Sequence, residues 1–305
     1  MYAIGVGLVP HITVCICTYK RPDSLKKLLQ GLLQLETASL FSYSVVVVDN
    51  DRNESARAVV ADFQKSSLIS TAYCVEPRQG IALARNAALA GAVGNYVALI
   101  DDDEVPTCDW LLKLLHCLNR YNVDGVLGPV KPVFEGQPPS WIVRGRFHER
   151  PTYRNGFAIG WRQGVTANVL LRREILEGES APFDRRYITG EDQDFFRRMM
   201  AKGHRFAWCN EAVVYEAIPP ARWTRSFLIR RAVQRGQASQ VSPTFGIRDV
   251  IKSVVAVPIY LVALPVLAVL GHHWFMSYFV RLSEHVARLL MLIGLHIAQD
   301  TYVVE

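Results

Sequence analysis

Cysteine pairs of the Cys-x-x-Cys type are missing from this 305-residue sequence, although six cysteines stand at 15, 17, 74, 108, 117 and 209. A zinc ribbon or a dithiol redox motif is therefore not expected. Cys15 and Cys17 alternate with Val14 and Ile16 and read as core residues of a strand, a usage that suits a reducing compartment. The N-terminus has no charged start followed by a long apolar segment, so no signal peptide is expected. Basic runs interleaved with aromatics are also absent, which argues against nucleic acid. Lys and Arg nonetheless outnumber Asp and Glu by 34 to 28, for a net charge of +6. That excess suits an anionic partner such as a phosphorylated substrate or an anionic lipid. Charge vanishes altogether from Ser253 to Val280.

The densest chemistry lies at 96–104. The apolar run Tyr96-Val97-Ala98-Leu99-Ile100 ends in Asp101-Asp102-Asp103-Glu104. Unpaired charge in a low-dielectric interior costs several kcal/mol per ion, so the strand must stop there. The four carboxylates are expected to open onto water, basic side chains or a cation. Magnesium is held by one or two protein carboxylates while substrate phosphates complete its shell. A solvated turn is the alternative.

Upstream the pattern repeats. Ile12 to Cys17 reads as a strand that breaks at Thr18-Tyr19-Lys20-Arg21-Pro22, with Asp23 or Ser24 as the cap of the helix that follows. Val45 to Val48 is apolar without alternation, as in a strand covered on both faces, and it ends at Asp49-Asn50-Asp51. A helix over 54–65, a strand over 71–75, a turn at Arg78-Gln79-Gly80 and an alanine-rich helix over 81–92 precede the acidic run. A helix over 110–120, a strand over 125–133, a Pro- and Gly-rich loop over 134–154 and a strand over 164–171 follow it. Alternating strands and helices predict an α/β fold with a mostly parallel central sheet. Such sheets gather ligands beyond the carboxyl ends of their strands. Gly190-Glu191-Asp192 then opens a helix, where acids in the first turn also suit the helix dipole.

With these residues in place, the sequence resembles the inverting glycosyltransferases of family 2, which have the Rossmann-like A-type glycosyltransferase fold. The matching pieces are Cys17-Thr18-Tyr19-Lys20-Arg21-Pro22, Val47-Val48-Asp49-Asn50, Gly80 with Ala84-Arg85-Asn86, Asp101-Asp102-Asp103 as the DxD motif, and Gly190-Glu191-Asp192. Within the family the look is similar to bacterial exopolysaccharide transferases of the succinoglycan type. The resemblance implies that Thr18, Tyr19, Asp49, Asn50 and Asp51 line the pocket for base and ribose. It implies further nucleotide-sugar contacts from Arg21, Gly80, Arg85, Asp101 and Asp102. Asp103 with Asp101 would hold Mg2+ or Mn2+, and Asp192, with Glu191 as the competing choice, would deprotonate the acceptor hydroxyl.

Two family features are missing. The Gln-x-x-Arg-Trp motif of processive synthases is absent, and the late His that completes the metal site is replaced by Glu216, with His204 an uncertain substitute. Arg230 and Arg231 read either as a grip on the diphosphate or a phosphorylated acceptor, or as a solvated helix face. The donor is expected to be a nucleotide-sugar, with UDP favoured. The acceptor is expected to be a saccharide or a polyprenyl-diphosphate-linked saccharide. Phosphoryl transfer at the Asp cluster is the rival activity, but it wants an aspartate directly after the first strand, where Thr18-Tyr19 stands. A catalytically silent nucleotide-sugar-binding membrane scaffold is the non-enzymatic rival.

The expected division is a transferase domain over 1–240 and a helical membrane-embedded or membrane-associated segment over 241–305. Val254 to Leu270 is nearly long enough to cross a bilayer, but Pro258 and Pro265 would kink it or shape a re-entrant hairpin. The piece over 275–297 is amphipathic. Seven basic residues from Arg222 to Lys252 precede the apolar stretch, and such an excess marks the cytoplasmic side. The expected location is the cytoplasmic face of a bacterial inner membrane, in contact with membrane lipid. A buried helical hairpin of a soluble domain, or an oligomer interface, is the alternative.

Overall fold

The computed structural model describes residues 9–295 apart from 188 and 243, so the N-terminal residues 1–8 and the end of the amphipathic piece at 296–297 lie outside the described residues. In chain order the elements are β1 (His11–Thr18), α1 (Pro22–Leu32), β2 (Ser42–Asp49), α2 (Arg57–Ser66), β3 (Thr71–Val75), α3 (Ile81–Ala90), β4 (Tyr96–Asp101) and β5 (Glu104–Pro106). They continue with α4 (Trp110–Tyr121), β6 (Gly125–Leu127), β7 (Val130–Phe134), α5 (Ser140–Arg144), β8 (Asn168–Arg172), α6 (Glu191–Ala201), β9 (Phe206–Trp208) and β10 (Val214–Ile218). Three long helices close the described chain: α7 (Arg225–Ala238), α8 (Ile247–Leu270) and α9 (His272–Leu292).

Two compact units result. The first comprises residues 1–131, 150–185 and 191–216; the second comprises 132–149, 186–190 and 217–305. Helix α7 therefore groups with the C-terminal helices rather than with the sheet.

The first unit is built on a seven-stranded sheet in the order β3-β2-β1-β4-β8-β6-β9. Successive side chains on a strand point to opposite faces. On β2, Val45 and Val47 enter one apolar cluster with Leu25, Leu28 and Leu114, while Val46 and Val48 enter the other with Ala84, Ala88 and Phe195. Both faces are covered by helices, which is why the run Val45–Val48 shows no polar alternation. The sheet is mostly parallel, as expected, with β8 running antiparallel to β4 and β6.

Three local expectations are corrected. Helix α1 is not capped by Asp23 or Ser24; its cap position is Arg21, and Pro22 occupies the first turn, where its missing N–H costs nothing. The strand expected over 125–133 is two strands broken at Gly128-Pro129. A Cβ on Gly128 would lie 2.3 Å from the Ala212 carbonyl oxygen and 2.5 Å from the Asn168 amide nitrogen. The 164–171 stretch becomes regular strand only from Asn168.

The second unit packs α5, α7 and α9 around Ile142, Leu228, Ala232, Met276 and Val280, and α8 lies against α9. Helix α8 is 24 residues of high mean hydropathy and, among the described residues, the one helix long and apolar enough to cross a membrane by length and composition. Pro258 and Pro265 lie inside it without splitting it into two helices.

Candidate active site

Register brings the polar strand ends together. Thr18 stands beside Asp49 in the β1–β2 ladder, and Cys17 stands beside Asp101 in the β1–β4 ladder. Three turns distant in sequence thus share one carboxyl edge of the sheet, where α/β folds place their ligands.

The acidic run is divided by burial. Thr18 donates its hydroxyl to Asp102 Oδ2 at 2.7 Å, and Arg21 reaches Asp102 at 3.4 Å and Asp103 at 3.2 Å. Burial, then the Asp103 charge, push Asp102 up to about 7, against the pull of Arg21 and the Thr18 hydroxyl. Asp101 keeps 37% of its side chain exposed and faces Arg85 at 3.5 Å. Glu104 departs from the expectation that all four acids open outward. It is fully buried, its Oε2 accepts the Asp101 backbone N–H at 3.2 Å, and its Oε1 has no partner.

A fully buried carboxylic acid is tolerated because it can stay protonated. Burial holds the Glu104 pKa well above its ordinary value; Asp101 raises it further, Arg150 opposes, and Asp103 and Glu216 add to the rise. Between about pH 4.5 and that raised pKa the folded chain binds the extra proton, so stability falls as pH rises through this window. Glu104→Gln should remove this slope. Thermal melts at pH 5 and pH 8 are expected to differ less in the variant, which should melt above the parent at pH 8; a parallel pH dependence in both would refute the assignment.

The Asp49 loop is built from within. Asp49 is fully buried, and its two oxygens accept N–H from Asp51 (2.9 Å) and Ala56 (2.7 Å) and the Tyr73 hydroxyl (3.0 Å). Asn50 donates to the carbonyls of Glu76 and Arg78, both at 2.8 Å, and accepts the Gly80 N–H at 2.9 Å. Asp51 is buried and caps Asn53 at 3.1 Å. Asp49 and Asn50 therefore hold this loop in shape at the carboxyl edge of the sheet, and Asn50 ties Gly80 to it. Tyr19 is half-buried beside them.

The second acidic patch meets the first through Arg85. This arginine is 8% exposed, pairs with Glu191 through Nη1, and faces Asp101 through Nη2. Glu191 is buried at the start of α6, whereas Asp192 beside it remains partly open and uses one oxygen on the Gln193 N–H at 2.7 Å. Burial raises the pKa of both acids; Arg85 opposes in each case, and Asp101 adds to the rise at Asp192.

Glu216, on β10, faces Glu104 across the β10–β5 ladder and accepts from Arg150 at 2.8 Å. His204 is excluded as a partner of the cluster: it precedes β9 and faces Asp124, which precedes β6, at 3.7 Å. β6 runs parallel to β4, so both residues lie at the opposite edge of the sheet from Asp101. Arg230 and Arg231 belong to the second unit, with exposed side chains on α7. Burial, followed by the Arg231 and Arg222 charges, pushes His148 in that unit down to about 4.

Reading the sequence overlooked Tyr73 and Arg150. Tyr73 has a signal in hindsight, as a tyrosine on the strand beside β2, whereas Arg150 sits in an irregular loop with none.

No group of three or more His, Cys, Asp or Glu forms a metal cage among the described residues. The oxygen donors of Asp101 and Asp103 still suit a hard divalent ion, which needs one or two carboxylates when phosphate oxygens supply the rest.

Residues 13–178, more than half of the chain, match the family described as Glycosyl transferase family 2, and residues 96–299 match Glycosyl transferase family group 2. The chain belongs to glycosyl transferase family 2. It is 34% identical over 230 residues to succinoglycan biosynthesis protein ExoM of Rhizobium meliloti, covering 74% of this chain and 73% of that protein. It is 24% identical over 212 residues to glycosyltransferase AglE of Haloferax volcanii, covering 67% and 66%. In fold it is similar to the mannosyltransferase PcManGT of Pyrobaculum calidifontis, solved with GDP-Man and Mn2+, with a TM-score of 0.62 at 19% identity over 92% of this chain and 87% of that one. It is also similar to S. aureus TarS 1-349 in complex with UDP, with a TM-score of 0.54 at 16% identity over 96% and 94%.

Proposed function

We propose that this glycosyltransferase moves a hexose from a nucleotide-sugar, with UDP the favoured carrier, to a saccharide or polyprenyl-diphosphate-linked saccharide, with inversion. Its product belongs to exopolysaccharide or envelope glycan synthesis at the cytoplasmic face of a bacterial inner membrane. The observation that carries this reading is Arg85, which gathers Asp101 and the Glu191–Asp192 pair, 90 residues apart, around one guanidinium. The succinoglycan assignment of the Rhizobium relative supports the pathway class, the GDP-Man and UDP of the two solved neighbours support a nucleotide-sugar donor, and the Mn2+ of the first supports a metal.

Asp192 is the base. The acceptor hydroxyl is a poor nucleophile, and a carboxylate within reach must take its proton as the new bond forms. Glu191 is occupied by Arg85, which leaves Asp192 as the available acid. Asp101 and Asp103 would hold Mg2+ or Mn2+, which as a Lewis acid neutralises charge on the departing diphosphate. Arg21, beside Asp102 and Asp103, adds fixed positive charge there. Asp49, Asn50, Asp51 and Gly80 form the wall for base and ribose, with Thr18 holding Asp102 and Tyr19 at the rim.

A donor screen tests the reading: membranes carrying the protein are given UDP- and GDP-sugars with and without Mn2+, and transfer and donor hydrolysis are followed. One donor should be consumed in a metal-stimulated way, and Asp103→Ala should weaken its metal-dependent binding by about tenfold or more, the scale of one lost charge-assisted contact. Equal consumption of no donor at all, with and without metal, would defeat the reading.

A further inference from the structure

Helix α8 is apolar enough to span a bilayer, yet its neighbours in the second unit fix a different placement. Its inner stripe packs along α9: Ser253 Oγ lies 3.0 Å from His285 Nδ1 near the start of α8, and the Tyr260 and Tyr278 rings meet at 5.5 Å further on. Helix α9 in turn runs parallel to α7, start beside start and end beside end. At one end Arg225 donates to His272 at 3.1 Å, and Trp141 of α5 meets the His272 ring at 5.1 Å. At the other, Gln240 donates to the Arg288 carbonyl at 2.9 Å and Arg288 donates to Ser239 at 2.9 Å. A Cβ on Gly236 of α7 would stand 2.3 Å from the Glu284 carbonyl oxygen, so the two helices touch backbone to side.

Both ends of α8 are thus tied, through α9, to both ends of α7. Helix α7 carries Arg225, Arg230, Arg231 and Arg235, all exposed. At 1.5 Å per residue α8 is about 36 Å long. Were it to cross the hydrocarbon, His272 at its far end would carry Arg225 and α5 to the other side, and α7 would cross with them. Charged arginines at that depth are expensive.

We propose that α8 docks in the plane of an anionic phospholipid leaflet and does not cross it. The outer stripe fits this occupant: Ile251, Val255, Ile259, Val262, Val266 and Val269 are all exposed, Val269 by 88%. Pro258 and Pro265 also lie on the exposed side, and neither can donate to the carbonyl four residues before it. The freed carbonyls of Val254 and Leu261 find water at the headgroup level and none in the bilayer core. Charge is complementary to anionic lipid: Arg248, Lys252 and Arg281 are exposed, while Asp249 accepts the Gly246 N–H and Glu284 pairs with Arg288. Trp274, 49% exposed just past the hairpin turn, is the residue type that settles at the interface.

This deepens the membrane association proposed above, and both readouts below are independent of sugar transfer, so an inactive enzyme leaves the test intact. Full-length chains carrying Ser226→Cys or His273→Cys are expressed, and sealed inside-out and right-side-out inner-membrane vesicles are treated with an impermeant maleimide, with labelled peptides resolved by mass. Both positions should be labelled from the same, cytoplasmic side; labelling of 273 from the opposite side only would establish a span and overturn the proposal. Purified full-length protein should co-sediment with vesicles of phosphatidylcholine containing phosphatidylglycerol, and less with phosphatidylcholine alone. Val262→Glu with Val266→Glu, checked for retained helicity, should weaken that binding by about tenfold or more. Unchanged binding, or a chain that ignores vesicles and self-associates through α8, overturns it equally.

Discussion

Replacing Asp192 by Asn should lower sugar transfer by a factor on the order of 10² to 10⁴, the usual contribution of a positioned general base, while leaving donor binding intact. Asn keeps the shape of the side chain and removes its capacity to accept a proton. The neighbouring Glu191 cannot take over, because it is buried and held by Arg85. The pH profile supplies a second signature. Burial lifts the Asp192 pKa, with Asp101 adding to it and Arg85 opposing. A base works only when deprotonated, so the acid limb of kcat/KM should fall at a pH above the ordinary aspartate range. In the Asn variant that limb should disappear from the residual activity. Undiminished transfer by the variant would remove Asp192 from the chemistry, whatever its position.

The second large effect concerns stability. Arg85→Met should destabilise the first unit by about 3–5 kcal/mol at neutral pH, the range seen when one partner of a buried ion pair is removed. The pair qualifies as buried, with 10% and 7% of the two side chains exposed. Without the guanidinium, Glu191 loses the influence that now opposes its burial, and its folded pKa rises further above the unfolded value. Stability from such a group is complete below the unfolded pKa and is lost as pH rises through the folded one. The deficit of Arg85→Met should therefore be small near pH 4 and grow toward pH 8. Denaturant midpoints across that range measure it. Arg85→Met combined with Glu191→Met should recover much of the loss, since apolar replacement of a whole buried pair is often neutral. A double variant as unstable as the single one would show that packing around Arg85, rather than its charge, holds the site.

The contrast between these residues explains what could be read in advance. Val45 to Val48 announced a doubly covered strand through composition alone, and the polar breaks at Thr18, Asp49 and Asp101 announced the functional edge, because strand termini are local events. Parallel pairing then brought the three breaks side by side. The inward turn of Glu104 had no local sign, since an acid following three others reads as solvated until the chain is seen to fold back into β5. Arg85 reaches Glu191 across 106 positions, and Arg150 reaches Glu216 across 66. No periodicity encodes such separations; only the packed tertiary structure does. The break at Gly128-Pro129 was equally hidden, because it is enforced by the Ala212 carbonyl and the Asn168 amide rather than by neighbours in sequence.

That same Asn168 amide donates to the carbonyls of Pro129 (3.1 Å) and Ala212 (2.8 Å), while its oxygen accepts the Trp110 indole N–H at 2.8 Å. One side chain thus clasps the chain where it leaves the sheet framework after Pro129 and where it returns at Asn168. The segment from 130 to 167 is thereby pinned at both ends by one amide, while Ile142 and Ile159 within it are buried in two different apolar clusters and Arg150 reaches Glu216. A graft into this segment therefore has to keep those three anchors and vary the exposed residues between them.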